Sequence, residues 1–266
     1  MAIGNYYYIL SKNILSRIII RFLGTIDLHT HIRLKPVIDY LNKFLLTKSG
    51  TRIKVLELGC GTGVSAFEIN KISRRVNINF EYTGVDFSSE LITIAKRVLK
   101  TIQPVRNKIN FICDDVINFL VKNNERVDVI LLLDIIEHIN NPERLLFYSN
   151  NLLNKHGMFL ISVPTPLYPE YFGYKFHQEM GHLVKGYALD DLVKMFNDIN
   201  CEIVFYKYNT GIMAKYGCSL YYKIFYSQKI ASQIIKFLFL FPFKYLDFIN
   251  NSKVSCSLFV VFRKKN

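Results

Sequence analysis

The stretch Val55-Leu56-Glu57-Leu58-Gly59-Cys60-Gly61-Thr62-Gly63 constrains this chain more than any other. An apolar run over Ile53–Leu58 ends in glycines at every second position, and a helical pattern follows over Ser65–Ile72. Glycine lets a backbone turn sharply and come close to a ligand without side-chain hindrance. In open α/β sheets, ligands sit outside the carboxyl ends of the strands. The run therefore predicts a strand, a bare turn and a helix at the mouth of a ligand crevice.

The pattern beyond it is strand–helix alternation. Strands are expected at Ile78–Val85, Ile109–Cys113, Val127–Leu133, Met158–Val163, Cys201–Tyr208 and Ser257–Phe262. Helices are expected at Ser88–Leu99 with Ser88 as its cap, at Asp115–Val121, at Pro142–Leu153 and at Ala188–Asn197. The near-continuous apolar run VDVILLL at 127–133 suits a parallel strand covered on both faces. Such alternation implies a doubly wound, Rossmann-like α/β sheet, mostly parallel and of about seven strands. Thr25–Arg33 reads as a loop, and Pro36 as the opening of a helix through Leu46. The Pro-, Tyr- and His-rich stretch after Pro164 reads as a long functional connection. The expected organisation is an N-terminal helical extension over 1–52, a core over 53–209 and 254–266, and a helical insertion over 210–253 before the last strand. Amphipathic helices are expected at 5–23 and around 230–239.

Composition narrows the classes. Half the residues are hydrophobic, so a disordered chain is excluded. The 5 cysteines form no CxxC pair, so neither a zinc framework nor a secreted disulfide scaffold is expected, and no metal. The most apolar stretch, 234–249, is interrupted by Lys236, Pro242, Lys244 and Asp247, short of the roughly 18 clean residues of a membrane span. A cytoplasmic protein is expected. The net charge of +13 lies wholly in the flanks, while 55–205 is slightly acidic. Basic, aromatic, amphipathic flanks suit an anionic membrane surface, or else pack on the sheet or form a cap.

The crevice chemistry follows from the residues around the glycines. The spacing is GxGxG, where a dinucleotide site would show GxGxxG, and no GKS or GKT is present. Glu57 just ahead of the glycines would repel a pyrophosphate and suit a ligand carrying an ammonium or sulfonium. Asp86, at the end of the second strand, is placed to accept hydrogen bonds from ribose hydroxyls.

ExGxGxG, an acid ending strand two, an Asp after strand three and the strand-four DxxEH together resemble class I S-adenosylmethionine-dependent methyltransferases, in the broad small-molecule, lipid and glycan branch. The resemblance implies S-adenosylmethionine as cofactor. It implies that Glu57, Gly59, Gly61 and Gly63 form the loop under the methionine moiety and that Asp86 holds the ribose diol. It further implies that Phe87 lies against the adenine, with Asp114 at the adenine amino group flanked by Asp115 and Val116, and that Asp134 stands beside the methyl-donor end. Asn154-Lys155-His156-Gly157 resembles the family's turn into strand five, with His156 in place of a glycine.

Methyl transfer from a sulfonium is chiefly a matter of positioning. Where the acceptor must lose a proton, His138 is the first candidate base, and His29, His31, His177 and His182 are candidate acceptor contacts. DIIEH replaces the Asn-Pro-Pro-Tyr type seen in methylation of base amino groups, and no Pro-Cys occurs. An oxygen or carbon of a small-molecule, lipid-linked or glycan acceptor is expected, and nucleic acid is not. The other readings are a nicotinamide-dependent oxidoreductase, a non-catalytic binding module on this fold, and an RNA methyltransferase recruited by the basic flanks.

Overall fold

The computed structural model describes residues 28–48, 52–101, 107–224, 242–243, 246–247 and 249–265. The helices expected at 5–23 and 230–239 lie outside the described residues. The elements are α1 (Leu28–Leu46), β1 (Arg52–Leu58), α2 (Val64–Val76), β2 (Asn79–Asp86), α3 (Ser89–Thr101), β3 (Lys108–Cys113) and α4 (Val116–Lys122). They continue with β4 (Val127–Leu133), a single 3-10 turn (Ile136–His138), α5 (Pro142–Leu152), β5 (Leu153–Pro164), α6 (Tyr168–Phe172), α7 (Tyr174–Glu179), α8 (Leu189–Asn197), β6 (Cys201–Asn209), α9 (Ile212–Ile224) and β7 (Ser257–Lys264).

The seven strands form one sheet in the order β3-β2-β1-β4-β5-β7-β6, parallel except for β7, which runs antiparallel to both neighbours. This is the doubly wound architecture the alternation predicts. Successive strand residues enter opposite layers. Val55, Val129, Leu131 and Leu160 pack with α1, α2 and α3 residues on one face. Leu56, Ile130, Leu132 and Ile161 pack with α4, α5 and α8 residues on the other. Because both faces are covered, β4 and β5 need apolar residues at every position rather than every second one.

Local signals account for several boundaries. Ser88 Oγ accepts from Leu91 N at 3.3 Å and caps α3. Asn141 accepts from Arg144 N, and Pro142 occupies the first turn of α5, where its missing N–H is harmless. The long connection after Pro164 contains two short helices, α6 and α7. Residues 154–157 bulge from the β4–β5 ladder, whose register jumps from Val127↔Leu153 to Val129↔Met158. His156 takes a left-handed φ of 59° there, the conformation a glycine would adopt readily.

The stretch before Pro36 is not the expected loop. α1 already runs from Leu28, so His29 and His31 lie in its first turns and Pro36 lies inside it. Proline lacks the N–H that would bond the carbonyl four residues back. That carbonyl, on Ile32, instead accepts from Asn209 Nδ2 at 3.3 Å, so the end of β6 repairs the gap. Both groups are buried. Asn209→Ala is therefore expected to cost about 1–3 kcal/mol, read as a lower urea midpoint with an unchanged m-value.

Candidate functional site

The strand order reverses between β1 and β4, and the glycine turn after β1 stands at that switch point. Gly59 N and Cys60 N both donate to Val85 O, at 2.8 and 3.0 Å, which pins the turn to the end of β2. Gly61 N donates to Asp86 Oδ2 at 2.8 Å, and Ser88 N to Asp86 Oδ1 at 2.9 Å. A buried carboxylate thus holds the turn on one side and the start of the next helix on the other.

Two of the glycines serve different ends. At Gly63, φ is +78° and an added Cβ would lie 2.5 Å from Phe111 Cζ, so this position is needed for packing. At Gly61, φ is +52° and an added Cβ would meet nothing within 4 Å. The backbone there borders open space, the arrangement a closely approaching ligand requires. Glu57 is buried beneath the turn, where its carboxylate accepts from Ser65 Oγ of α2 and Tyr82 OH of β2. Burial raises its pKa to about 7, against the pull of those two hydrogen bonds. Its direct partners are thus the two elements flanking the turn.

Around the second strand, Phe87 follows Asp86 with 82% of its surface exposed. Asp114 N donates to Asp86 O at 3.2 Å, which places Asp114 beside it. Asp115 Oδ1 accepts from Ile117 N and Asn118 N, each at 3.0 Å, and so caps α4. Val116 is buried in the core layer beneath.

Asp134, just past β4, adopts a left-handed φ of 57°, held by its N–H to Ser162 O at 2.8 Å. Its Oδ1 accepts from Ser162 Oγ at 3.2 Å and from the guanidinium of Arg33, which reaches it from α1. The sequence reading missed Arg33. Its signal was the spacing Arg33, Val37, Leu41, Leu45, a buried stripe whose first member is a cation.

The histidines converge next to this pair. Leu183 N donates to Glu137 O at 2.8 Å, and His138 Nδ1 donates to Gly181 O at 3.0 Å, folding the segment after α7 onto the 3-10 turn. The His182 ring lies 4.8 Å from His138 and 4.6 Å from His177, centre to centre. His177 Nε2 donates to Val184 O at 3.0 Å. Burial lowers the pKa of His138, and that of His182 to about 3, so both imidazoles are neutral. Glu137 is fully buried, with neither carboxylate oxygen hydrogen-bonded among the described residues, and burial raises it to about 8. Glu137, His138 and His182 bring donor atoms within 4.8 Å of one another, a set of the type divalent cations take. Of the sequence-selected histidines, 138, 177 and 182 thus form one cluster. His29 and His31 belong to α1.

A family model described as a methyltransferase domain matches residues 29–205. The chain belongs to that methyltransferase family. Among curated relatives, the chain is 32% identical over 108 residues to the ubiquinone biosynthesis O-methyltransferase of Coxiella burnetii, covering 41% of this chain and 42% of that one. It is 31% identical over 128 residues to the malonyl-[acyl-carrier protein] O-methyltransferase of Bacillus cereus, covering 48% and 40%. It thus spans about two fifths of the length of these relatives. Its fold is similar to that of the plantazolicin methyltransferase BamL, solved with S-adenosylhomocysteine, with a TM-score of 0.60 and 15% identity over 90% of this chain and 86% of that one. It is also similar to magnesium protoporphyrin IX methyltransferase of Synechocystis PCC 6803, with a TM-score of 0.55 and 12% identity over 98% and 91%.

Two measurements check this geometry. Gly63→Ala is expected to lose about 3 kcal/mol of stability and Gly61→Ala about 1, since only the first meets an occupied volume. Because the folded pKa of Glu57 is raised, the folded state holds the extra proton. Stability is then greatest below the ordinary carboxylate range and falls as pH rises to about 7. Glu57→Gln is expected to flatten that fall by on the order of 2 kcal/mol in urea titrations between pH 5 and 8.

Proposed function

We propose that this chain transfers a methyl group from S-adenosylmethionine to an oxygen of a small-molecule acceptor. The observation that carries this reading is the cradle at Gly61, a left-handed glycine facing open space with its N–H fixed by the Asp86 carboxylate. Family membership and two curated relatives named as O-methyltransferases support it.

The residues present fit such a cofactor. Each oxygen of Asp86 accepts one backbone N–H and keeps lone-pair capacity for a ribose hydroxyl. Phe87 offers an exposed ring face for an adenine, and Asp114 an acceptor for its amino group. Arg33 and Asp134 are matched to the carboxylate and ammonium of an amino-acid moiety, with which they would exchange their own pairing. The bound cofactor supplies an activated methyl carbon. The task of the chain is to hold the acceptor oxygen about 3–3.5 Å from it. His138 donates from Nδ1 to Gly181, which leaves its Nε2 lone pair to take the acceptor's proton.

A lipid-linked acceptor at a membrane surface remains the finer reading of the basic, amphipathic flanks. Among the described residues no helix is long and apolar enough to cross a membrane.

Calorimetry tests the cofactor assignment. The wild-type chain is expected to bind S-adenosylhomocysteine and not NAD. Asp86→Ala is expected to weaken that binding at least tenfold, as hydrogen bonds to a charged group contribute about 1.5–3 kcal/mol. Unchanged affinity in Asp86→Ala would remove the assignment.

A further inference from the structure

Lys215 has 4% of its surface exposed and lies in the first turn of α9. Its ammonium stands 3.1 Å from the centre of the Tyr171 ring and 5.4 Å from that of Tyr216. Among the described residues no carboxylate forms an ion pair with it. A lysine is almost never buried without such a partner. A cation in the first turn also opposes the helix dipole. Among the described residues, the ring faces of Tyr171 and Tyr216 offset this charge in place of an anion.

The place itself is informative. β6 is antiparallel to β7, which is antiparallel to β5, so β6 ends on the same sheet edge as the glycine turn and Asp134. α9 begins directly after that end. Ala214, next to Lys215, packs on Ile32, next to Arg33, with Phe172 of α6 against them. Burial pushes the Cys256 thiol up to about 12; Lys215 and Arg33 both pull against that rise, while Asp247 and Glu170 add to it. β4 and β6 are three strand spacings apart, roughly 14 Å. Lys215 is therefore on the ligand edge, displaced along it from the methyl-donor end.

We propose that Lys215 anchors a carboxylate on the acceptor. This deepens the methyltransferase reading and rests on it. The chemistry favours a carboxylate over a phosphate. The first amides of α9 are already taken, with Gly211 N donating to Asp247 Oδ2 at 2.8 Å and Ala214 N to Asp247 Oδ1 at 3.3 Å. Phosphate sites draw on several such donors, whereas here a single ammonium stands between aromatic rings. Those rings suit the apolar body that carries the acid.

The test uses the full chain loaded with S-adenosylhomocysteine and three matched probe pairs: 4-hydroxybenzoate and its amide, 3-(4-hydroxyphenyl)propionate and its amide, and octanoate and octanamide. At least one acid is expected to bind the wild-type chain ten times more tightly than its amide in calorimetry. Lys215→Met is expected to abolish that preference and Lys215→Arg to keep most of it, with cofactor-product affinity unchanged in both. If Lys215→Met does not fold, Lys215→Gln carries the same readout. Acids binding no better than amides to the wild type, or a preference that survives the loss of the ammonium, would overturn the proposal. Failure of S-adenosylhomocysteine to bind would instead strike the cofactor reading, and the acid preference can still be read on the unloaded chain.

Discussion

The carboxylate of Asp86 is the joint on which the crevice depends. One oxygen takes the N–H of Gly61 and the other that of Ser88, so a single side chain fixes both the bare turn after β1 and the entry to α3. The turn needs such a tie because it holds three left-handed glycines in five residues, and glycine has more backbone freedom to lose than any other residue. Val85 O contributes a second anchor by accepting from two consecutive amides. The cradle is consequently held by backbone bonds at its glycines, and Glu57 braces it from below through Ser65 and Tyr82.

The opposite wall is built on α1. Consecutive residues of this helix reach two distant strand ends: the Ile32 carbonyl to Asn209 of β6, and the Arg33 guanidinium to Asp134 after β4. α1 also packs its Val37, Leu41 and Leu45 stripe on the core layer shared with α2 and α3. Core packing, crevice electrostatics and the position of α9 are therefore coupled through one element. The histidine cluster closes the third side, where the Leu183 N–H bonds the Glu137 carbonyl and the His138 side chain bonds the Gly181 carbonyl, folding the region after α7 over the 3-10 turn.

Much of this was legible in the residues. The glycine turn, the apolar run of β4 and the alternation over 53–209 encode the sheet locally, and Ser88 occupies the capping position its side chain suggested. The same local logic shows Asp115 serving as the cap of α4, whatever else it contacts. Contacts between parts far apart in the chain were not legible. Arg33 was hidden because Pro36 reads as the start of a helix, and only Asn209, far along the chain, shows why the proline is tolerated inside one. His138 and His182 are separated by more than forty residues, so neither their edge-to-face contact nor the burial of Glu137 without a hydrogen-bond partner among the described residues leaves a trace in spacing. Lys215 looked like one more basic residue of a basic flank until the fold placed it behind Tyr171.

What Pro36 contributes is an omission. By withholding one proton, it frees a carbonyl that any other residue would have consumed within the helix, and the end of β6 claims it. Alanine at this position would make a more regular helix and a competitor for that acceptor. The irregularity thus ties α1 to the end of β6 one residue before the guanidinium that reaches across the crevice.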